Sequence, residues 1–199
     1  MITTIIFDLS EVFLKGFSGV ENFLTGFLNM GSSEIKRRLD GPEFKLLLED
    51  EIDEDAFWKM VIKRNKWDVS PELFKHAVRK NFDEIQGTRE IIKQLKLKGY
   101  KLGLLSDHSK EWIDYCSRKF NYSLLFDFVQ YSFETKSCKT EINTFRKVLE
   151  KSGEEAENCL FVDDNKKNIK VAESAGLKTI HFESPEQLKE ELVSAGILS

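Results

Sequence analysis

The stretch "CLFVDDNKKNIKVAESAGLKTIHF" (159–182) decides the fold. An apolar run ends in two aspartates, Asp163 and Asp164. Residues 166–175 then carry a helical pattern closed by Gly176, and "KTIHF" (178–182) is again β-branched and apolar. Strands alternating with helices imply a parallel sheet covered on both faces.

The same alternation extends back to Gly87. A helix over 88–98 ends at Gly99 with lysines in its last turns, which suits the helix dipole. "KLGLLS" (101–106) is a strand and 109–120 a helix. "FDFVQYS" (126–132) is the next strand, and Ile142, Phe145, Val148 and Leu149 mark the helix after it. Ser184-Pro185-Glu186-Gln187 opens a final helix with a capping box. At the other end "TTIIF" makes a buried strand of about residues 2–7. Between about 19 and 84 only helical patterns occur. Asp53 is an N-cap there, with Ile52 and Phe57 as a hydrophobic staple, and Ser70 caps a helix that begins at Pro71. The expected architecture is a Rossmann-like α/β core of residues 1–14 and 85–199, with an inserted all-helical cap over 15–84.

Ligands of open parallel sheets sit beyond the carboxyl ends of the strands. The residues there are Asp8, Ser106 with Asp107, Lys139, and Asp163-Asp164 with Asn168 one turn on. Singly each has an ordinary reading: a turn, a helix cap, a solvated lysine, a polar loop. Together they converge on one rim. Three carboxylates in one cleft repel one another, and without a cation at least one is pushed toward protonation. A divalent ion plus Lys139 supplies +3 against −3 and leaves room for a phosphate dianion. Oxygen-only ligands point to magnesium. The Ser106 hydroxyl and nearby N–H groups suit phosphoryl oxygens.

Composition narrows the remaining classes. The 199 residues suit one domain, or a core with a small insert, and 41% hydrophobic residues with 16 Phe supply a sizeable core. Lys+Arg 30 against Asp+Glu 34 gives −4 with the signs mixed, so neither nucleic acid nor a membrane is an expected partner. There is no apolar run long enough to span a bilayer and no signal-peptide pattern at the start. Cys116, Cys138 and Cys159 read as free thiols in a reducing cytoplasm.

In order, "IIFDLSEV", "LGLLSDHS", "CKTEINTF" and "LFVDDNKKNIKVAESAGL" resemble the four motifs of the haloacid dehalogenase superfamily. The segment "EIKRRLDGPEFKLLLEDEIDEDAFW" is similar to the small helical caps of its sugar-phosphate phosphatases, whose first motif reads D-x-G. The third motif lacks the proline usual after Lys139. The resemblance implies that Asp8 is a nucleophile that becomes an aspartyl phosphate, later hydrolysed by water. It implies that Ser106 and Lys139 hold the phosphate, with Asp107 beside them. Asp8, Asp164, Asp163 directly or one shell out, and the backbone carbonyl of Ser10 would hold Mg2+, and Asn168 would orient the loop.

Two positions depart from the pattern. Ser10 stands where the family's aspartate protonates the leaving alcohol, a contribution of about 10²–10⁴-fold in rate. Asp107 stands where a neutral Asn is common. Glu11, one residue on, and His108, with its ordinary pKa near 6.5, are the candidate replacements for the acid. Members that break carbon–halogen bonds also lack that aspartate, but their reaction needs no magnesium, and Asp163-Asp164 would oppose an anionic haloacid. The expected activity is therefore hydrolysis of a small phosphorylated metabolite. A non-catalytic binding or regulatory protein and a 2-haloacid dehalogenase are the alternatives. Phe13, Phe17, Lys36, Arg37 and Arg38 are the candidate substrate-lining residues of the cap.

Overall fold

Successive residues of an apolar strand must face opposite layers, and both layers are present in the computed structural model, which describes residues 1–199. Ile5, Phe7, Leu102, Leu104, Leu160 and Val162 enter one hydrophobic cluster, and Ile6, Leu105, Cys159 and Phe161 enter the other. The five strands are β1 (Thr4–Phe7), β2 (Lys101–Ser106), β3 (Phe128–Tyr131), β4 (Cys159–Asp163) and β5 (Lys178–His181). All neighbouring pairs are parallel, in the order β3-β2-β1-β4-β5. This is a Rossmann-like sheet. Its chain reverses direction of travel across the sheet at β1, which places β1 between β2 and β4.

Five helices lie between β1 and β2: α1 (Val20–Leu28), α2 (Ser32–Leu39), α3 (Glu43–Leu48), α4 (Glu54–Asn65) and α5 (Pro71–Asn81). Six follow: α6 (Thr88–Leu97), α7 (Lys110–Phe120), α8 (Ser132–Thr135), α9 (Ile142–Ser152), α10 (Lys166–Ser174) and α11 (Pro185–Ser194). No helix is long and apolar enough to cross a membrane. The outgoing and returning chains at the edge of the five-helix segment are hydrogen-bonded to each other. Lys15 N–H donates to Asp83 O (2.8 Å) and Ile85 N–H to Phe13 O (2.9 Å).

Several local expectations need correction. The third strand is shorter than 126–132, because Ser132 already begins α8. Asp53 does cap α4, accepting from Ala56 N–H, but Ser70 caps α5 by position only and its side chain makes no cap bond. At α11 Ser184 accepts from Gln187 N–H, while the Gln187 amide turns to Glu183 N–H and leaves the box half closed. Ile142 opens α9 but is exposed, and Thr144 takes a buried place on that helix instead. The three cysteines are free and buried.

The segment between β1 and β2 is fastened to the later helices by buried polar contacts. Glu54 of α4 accepts from the indole N–H of Trp112 on α7 (2.6 Å) and of Trp58 (3.3 Å), and it pairs with Arg79 through both oxygens. Ser132 Oγ donates to Leu48 O at 2.6 Å. A buried carboxylate so fully satisfied fixes one arrangement of the layers.

One glycine is required by packing. Gly103 in β2 is registered against Phe128 of β3, and a Cβ built on it would collide with the Phe128 ring. Gly103→Ala should therefore destabilise the fold by about 1–3 kcal/mol, lowering the melting temperature by several degrees without touching the strand ends. An unchanged thermal transition would show that the ring has room to move.

Candidate active site

Three strand ends and one loop place the chemistry. Asp8 follows β1, Ser106 ends β2 and Asp163 ends β4, so β1 and its two neighbours deliver side chains to the same rim. Lys139 comes from the loop before α9 and is only 2% exposed. Its ammonium lies 2.6 Å from Asp8 Oδ2 and 2.7 Å from Asp163 Oδ2. Burial lowers its pKa, but Asp163, Asp8 and Asp107 outweigh that and hold Lys139 charged. Asp8 is pushed the other way. Burial raises its pKa, Asp163 and Asp164 add repulsion, and Lys139 only partly compensates. The cluster is short of positive charge.

The two aspartates of the 163–164 pair have different duties. Asp163 is fully buried and its oxygens are committed within the chain. They accept from Lys139 Nζ, from Asn165 N–H (2.7 Å) and from both sides by Asn168 Nδ2 (3.2 and 3.1 Å). The Asp164 carboxylate accepts nothing from any other residue and borders the cavity; burial and then Asp163 raise its pKa. Carboxylate oxygens of Asp8, Asp163 and Asp164 lie within 4.8 Å of one another. Such a set fits a hard divalent cation: the Asp164 oxygens are free to face it, Asp8 holds Leu9 N–H (2.6 Å) on one oxygen and Lys139 on the other, and Asp163 keeps Lys139 in place.

A cavity of about 350 Å³ opens over this cluster. Asp8, Ser10, Glu11, Asp107, Lys139, Asp164 and Asn168 supply its polar part. Ser106 is wholly buried and stands behind this surface, with its Oγ lacking any hydrogen-bond partner. A shielded hydroxyl without a partner is costly, and an oxyanion at the rim is the group it lacks. Asp107 departs from the phosphate-binding expectation: both of its oxygens accept from Lys139 N–H, at 3.1 and 3.0 Å. It positions the loop that carries Lys139.

The two candidate acids differ in their surroundings. Glu11 sits in the left-handed region (φ 59°), and its Oε1 accepts from Gly16 N–H at 3.0 Å, so its carboxyl lies along the cavity and does not point away. Burial raises its pKa. His108 is not an imidazole of ordinary basicity. It is 3% exposed, packed against Phe82 and Trp112, and burial pushes its pKa down to about 4. It stays neutral across the physiological range.

Of the proposed lining residues, Phe17 borders the cavity. Phe13 is core, Lys36 and Arg37 border an adjoining cavity of about 340 Å³, and Arg38 pairs with Glu34 instead. Sequence reasoning missed Ser18, Phe44, Leu48, Trp112, Thr140 and Asn165. Thr140 and Asn165 adjoin named residues and were within reach. The others carry no local signal, because helical packing alone brings them to the rim.

Residues 5–182 match the family model described as haloacid dehalogenase-like hydrolase. The chain is 25% identical over 187 residues to pyrophosphatase PpaX of Bacillus cereus (strain B4264), covering 89% of this chain and 82% of that one. It is similar to a HAD family enzyme of Bacteroides thetaiotaomicron solved with magnesium and inorganic phosphate (TM-score 0.72, 24% identity, 92% and 96% of the two chains). It is also similar to a HAD-like family hydrolase from Porphyromonas gingivalis (TM-score 0.78, 21% identity, 98% of each chain).

The Asp107 carboxyl supplies a pH test. Burial lifts its pKa to about 6 against the pull of Lys139. Below about pH 4 the folded and unfolded chains both carry the proton and no penalty arises. Between pH 4 and 6 the penalty grows, and above 6 it is complete. Asp107→Asn keeps an oxygen for Lys139 N–H. In chelator the variant should be about 1–3 kcal/mol more stable than the parent at pH 7.5, and the gap should close toward pH 4. Urea unfolding at the two pH values measures this; a gap independent of pH would sink the linkage.

Proposed function

The chain belongs to the haloacid dehalogenase-like hydrolases, and from that membership we propose that it is a magnesium-dependent phosphatase. Its substrates are small phosphomonoesters of the sugar-phosphate type, and its intermediate is an aspartyl phosphate at Asp8. The observation that carries this reading is the buried Lys139 ammonium shared by Asp8 and Asp163 beside the uncommitted Asp164 carboxylate. A strong acceptor set with a deficit of positive charge is what a metal and a phosphoryl group together complete.

Mg2+ would be held by Asp8, Asp164 and the Ser10 carbonyl, and when bound it supplies charge neutralisation for the phosphoryl oxygens. The remaining steps belong to the chain. An Asp8 oxygen attacks phosphorus, the bond to the leaving oxygen breaks, and Lys139 holds the phosphoryl group with the Ser106 hydroxyl. Water then cleaves the aspartyl phosphate to release inorganic phosphate. The helical segment 15–84 acts as the cap. Phe17 and Phe44 from it meet Trp112 over the cavity, with ring centroids 5.5 Å apart for Phe17 and Trp112, and exclude water from the reacting groups.

Inorganic pyrophosphate is the competing substrate, raised by the name of the Bacillus relative. The adjoining cavity favours an ester. Its Lys36 and Arg37 are matched there by Glu21 and Asp40, so no net positive charge awaits a second phosphate. Hydrolysis of a panel of sugar phosphates, an aryl phosphate and pyrophosphate, each with magnesium and with chelator, tests the reading. Metal-dependent release of phosphate from the esters is expected. Absence of any metal-dependent turnover would instead support a binding role, and halide release from a 2-haloacid without metal a dehalogenase.

Two variants follow from the same mechanism. Asp8→Asn removes the nucleophilic charge and should abolish turnover with the fold intact, checked by circular dichroism; retained activity would overturn the covalent route. Ser10→Asp restores a proton donor while leaving the backbone carbonyl in place. Sugar phosphates should gain about 10²-fold or more, and an aryl phosphate, whose leaving group needs no proton, should gain less. Equal gains on both would place the deficit in water activation, and no gain would mean that more than Ser10 separates this site from the family pattern.

A further inference from the structure

His108 is the one ring in the cavity wall with unmet hydrogen-bonding capacity. Phe82 and Trp112 pack against it, and Phe17, Phe44 and Leu48 share the cavity wall with polar residues that include Asp107 and Lys139. It is held firmly. Its backbone N–H donates to Ser132 Oγ at 3.0 Å, and Ser132 in turn donates to Leu48 O. Its ring lies edge-on to Trp112, with centroids 5.6 Å apart at 90°, and tilted against Phe82 at 5.8 Å. So restrained a side chain has one orientation.

Nδ1 is shielded from solvent and has no partner. Only one nitrogen of a neutral imidazole carries hydrogen, and the proton belongs where a partner can reach it. Nε2 is not among the shielded atoms, and the ring's open side is the cavity. The neutral ring therefore has an uncharged N–H donor to offer in a wall whose other polar groups are mostly ionised. Burial keeps it neutral down to about pH 4, so it attracts no anion by charge. A hydroxyl oxygen suits such a donor.

We infer that His108 is a specificity-determining residue that donates a hydrogen bond to a hydroxyl of the leaving group and so selects phosphate esters of polyols. This rests on the phosphatase reading above and names the part of the substrate that His108 reads. A site built around a hydrogen bond rejects ligands that leave the donor unpaired.

The test compares kcat/KM for a hexose phosphate and for p-nitrophenyl phosphate in the parent, His108→Phe and His108→Gln. Phe keeps the packing and removes the donor; Gln keeps a donor at similar reach. His108→Phe should lose about 5- to 30-fold on the hexose phosphate and change less than about twofold on the aryl ester, and His108→Gln should recover most of the loss. Equal losses on both esters would overturn the inference, since they would mean contact with the phosphoryl group or general damage. So would an unchanged hexose phosphate rate in His108→Phe. Circular dichroism of both variants separates misfolding, and if His108→Phe fails to fold, a His108→Gln that prefers the aryl ester tenfold more than the parent does overturns the inference as well. A parent that hydrolyses the aryl ester but no polyol phosphate would defeat the substrate class itself, and the role of His108 with it.

Discussion

The Lys139 ammonium is the constraint around which the rest is arranged. A lysine with almost no exposure is tolerated only among carboxylates, and here it lies between the ends of two adjacent parallel strands. Every neighbouring device keeps it there. Asp107 fixes its backbone N–H, and Asn168 and Asn165 fix the Asp163 carboxylate that it touches. One positive charge cannot satisfy the three carboxylates around it. The unpaired remainder is stored as the raised proton affinity of Asp8 and Asp164.

The two departures from the family pattern do not cancel. An acid is missing at Ser10 and an acid is gained at Asp107, yet the gained carboxyl is spent on the backbone of Lys139. It stands on the β2 side of the cluster, whereas Ser10 stands on the turn leaving β1. Glu11 shares that turn and borders the cavity, but it also closes the turn through Gly16 N–H. The turn thus uses its remaining carboxyl structurally.

Much of this was legible in the chain. Apolar runs ending in Asp8, Ser106 and Asp163 marked both the strands and the rim, because a parallel sheet brings all its carboxyl ends to one side. The separate duties of Asp163 and Asp164 were not legible. Adjacent residues at a strand end point to different surroundings, and only the positions of Lys139 and Asn168 reveal which is enclosed. His108 was misread for a similar reason. Its burial is made by Phe82, Trp112 and Ser132, which no local pattern links to it. Phe44 likewise reaches the wall through the packing of α3, which no local pattern in the chain reveals.

The placement of β1 has a consequence for how the molecule is made. This strand is made before the other four, is buried along its whole length, and needs β2 on one edge and β4 on the other. β4 begins only at Cys159. At cellular elongation rates of about 5–20 residues per second, β1 waits roughly 10–30 s for its second partner. During that interval an apolar strand with an open edge is exposed to the crowded cell, and the five helices that follow are the structure available to shelter it. The nascent chain therefore carries Asp8 long before it carries Asp163 and Asp164. The carboxylates that share Lys139 cannot meet until residue 163 has been made.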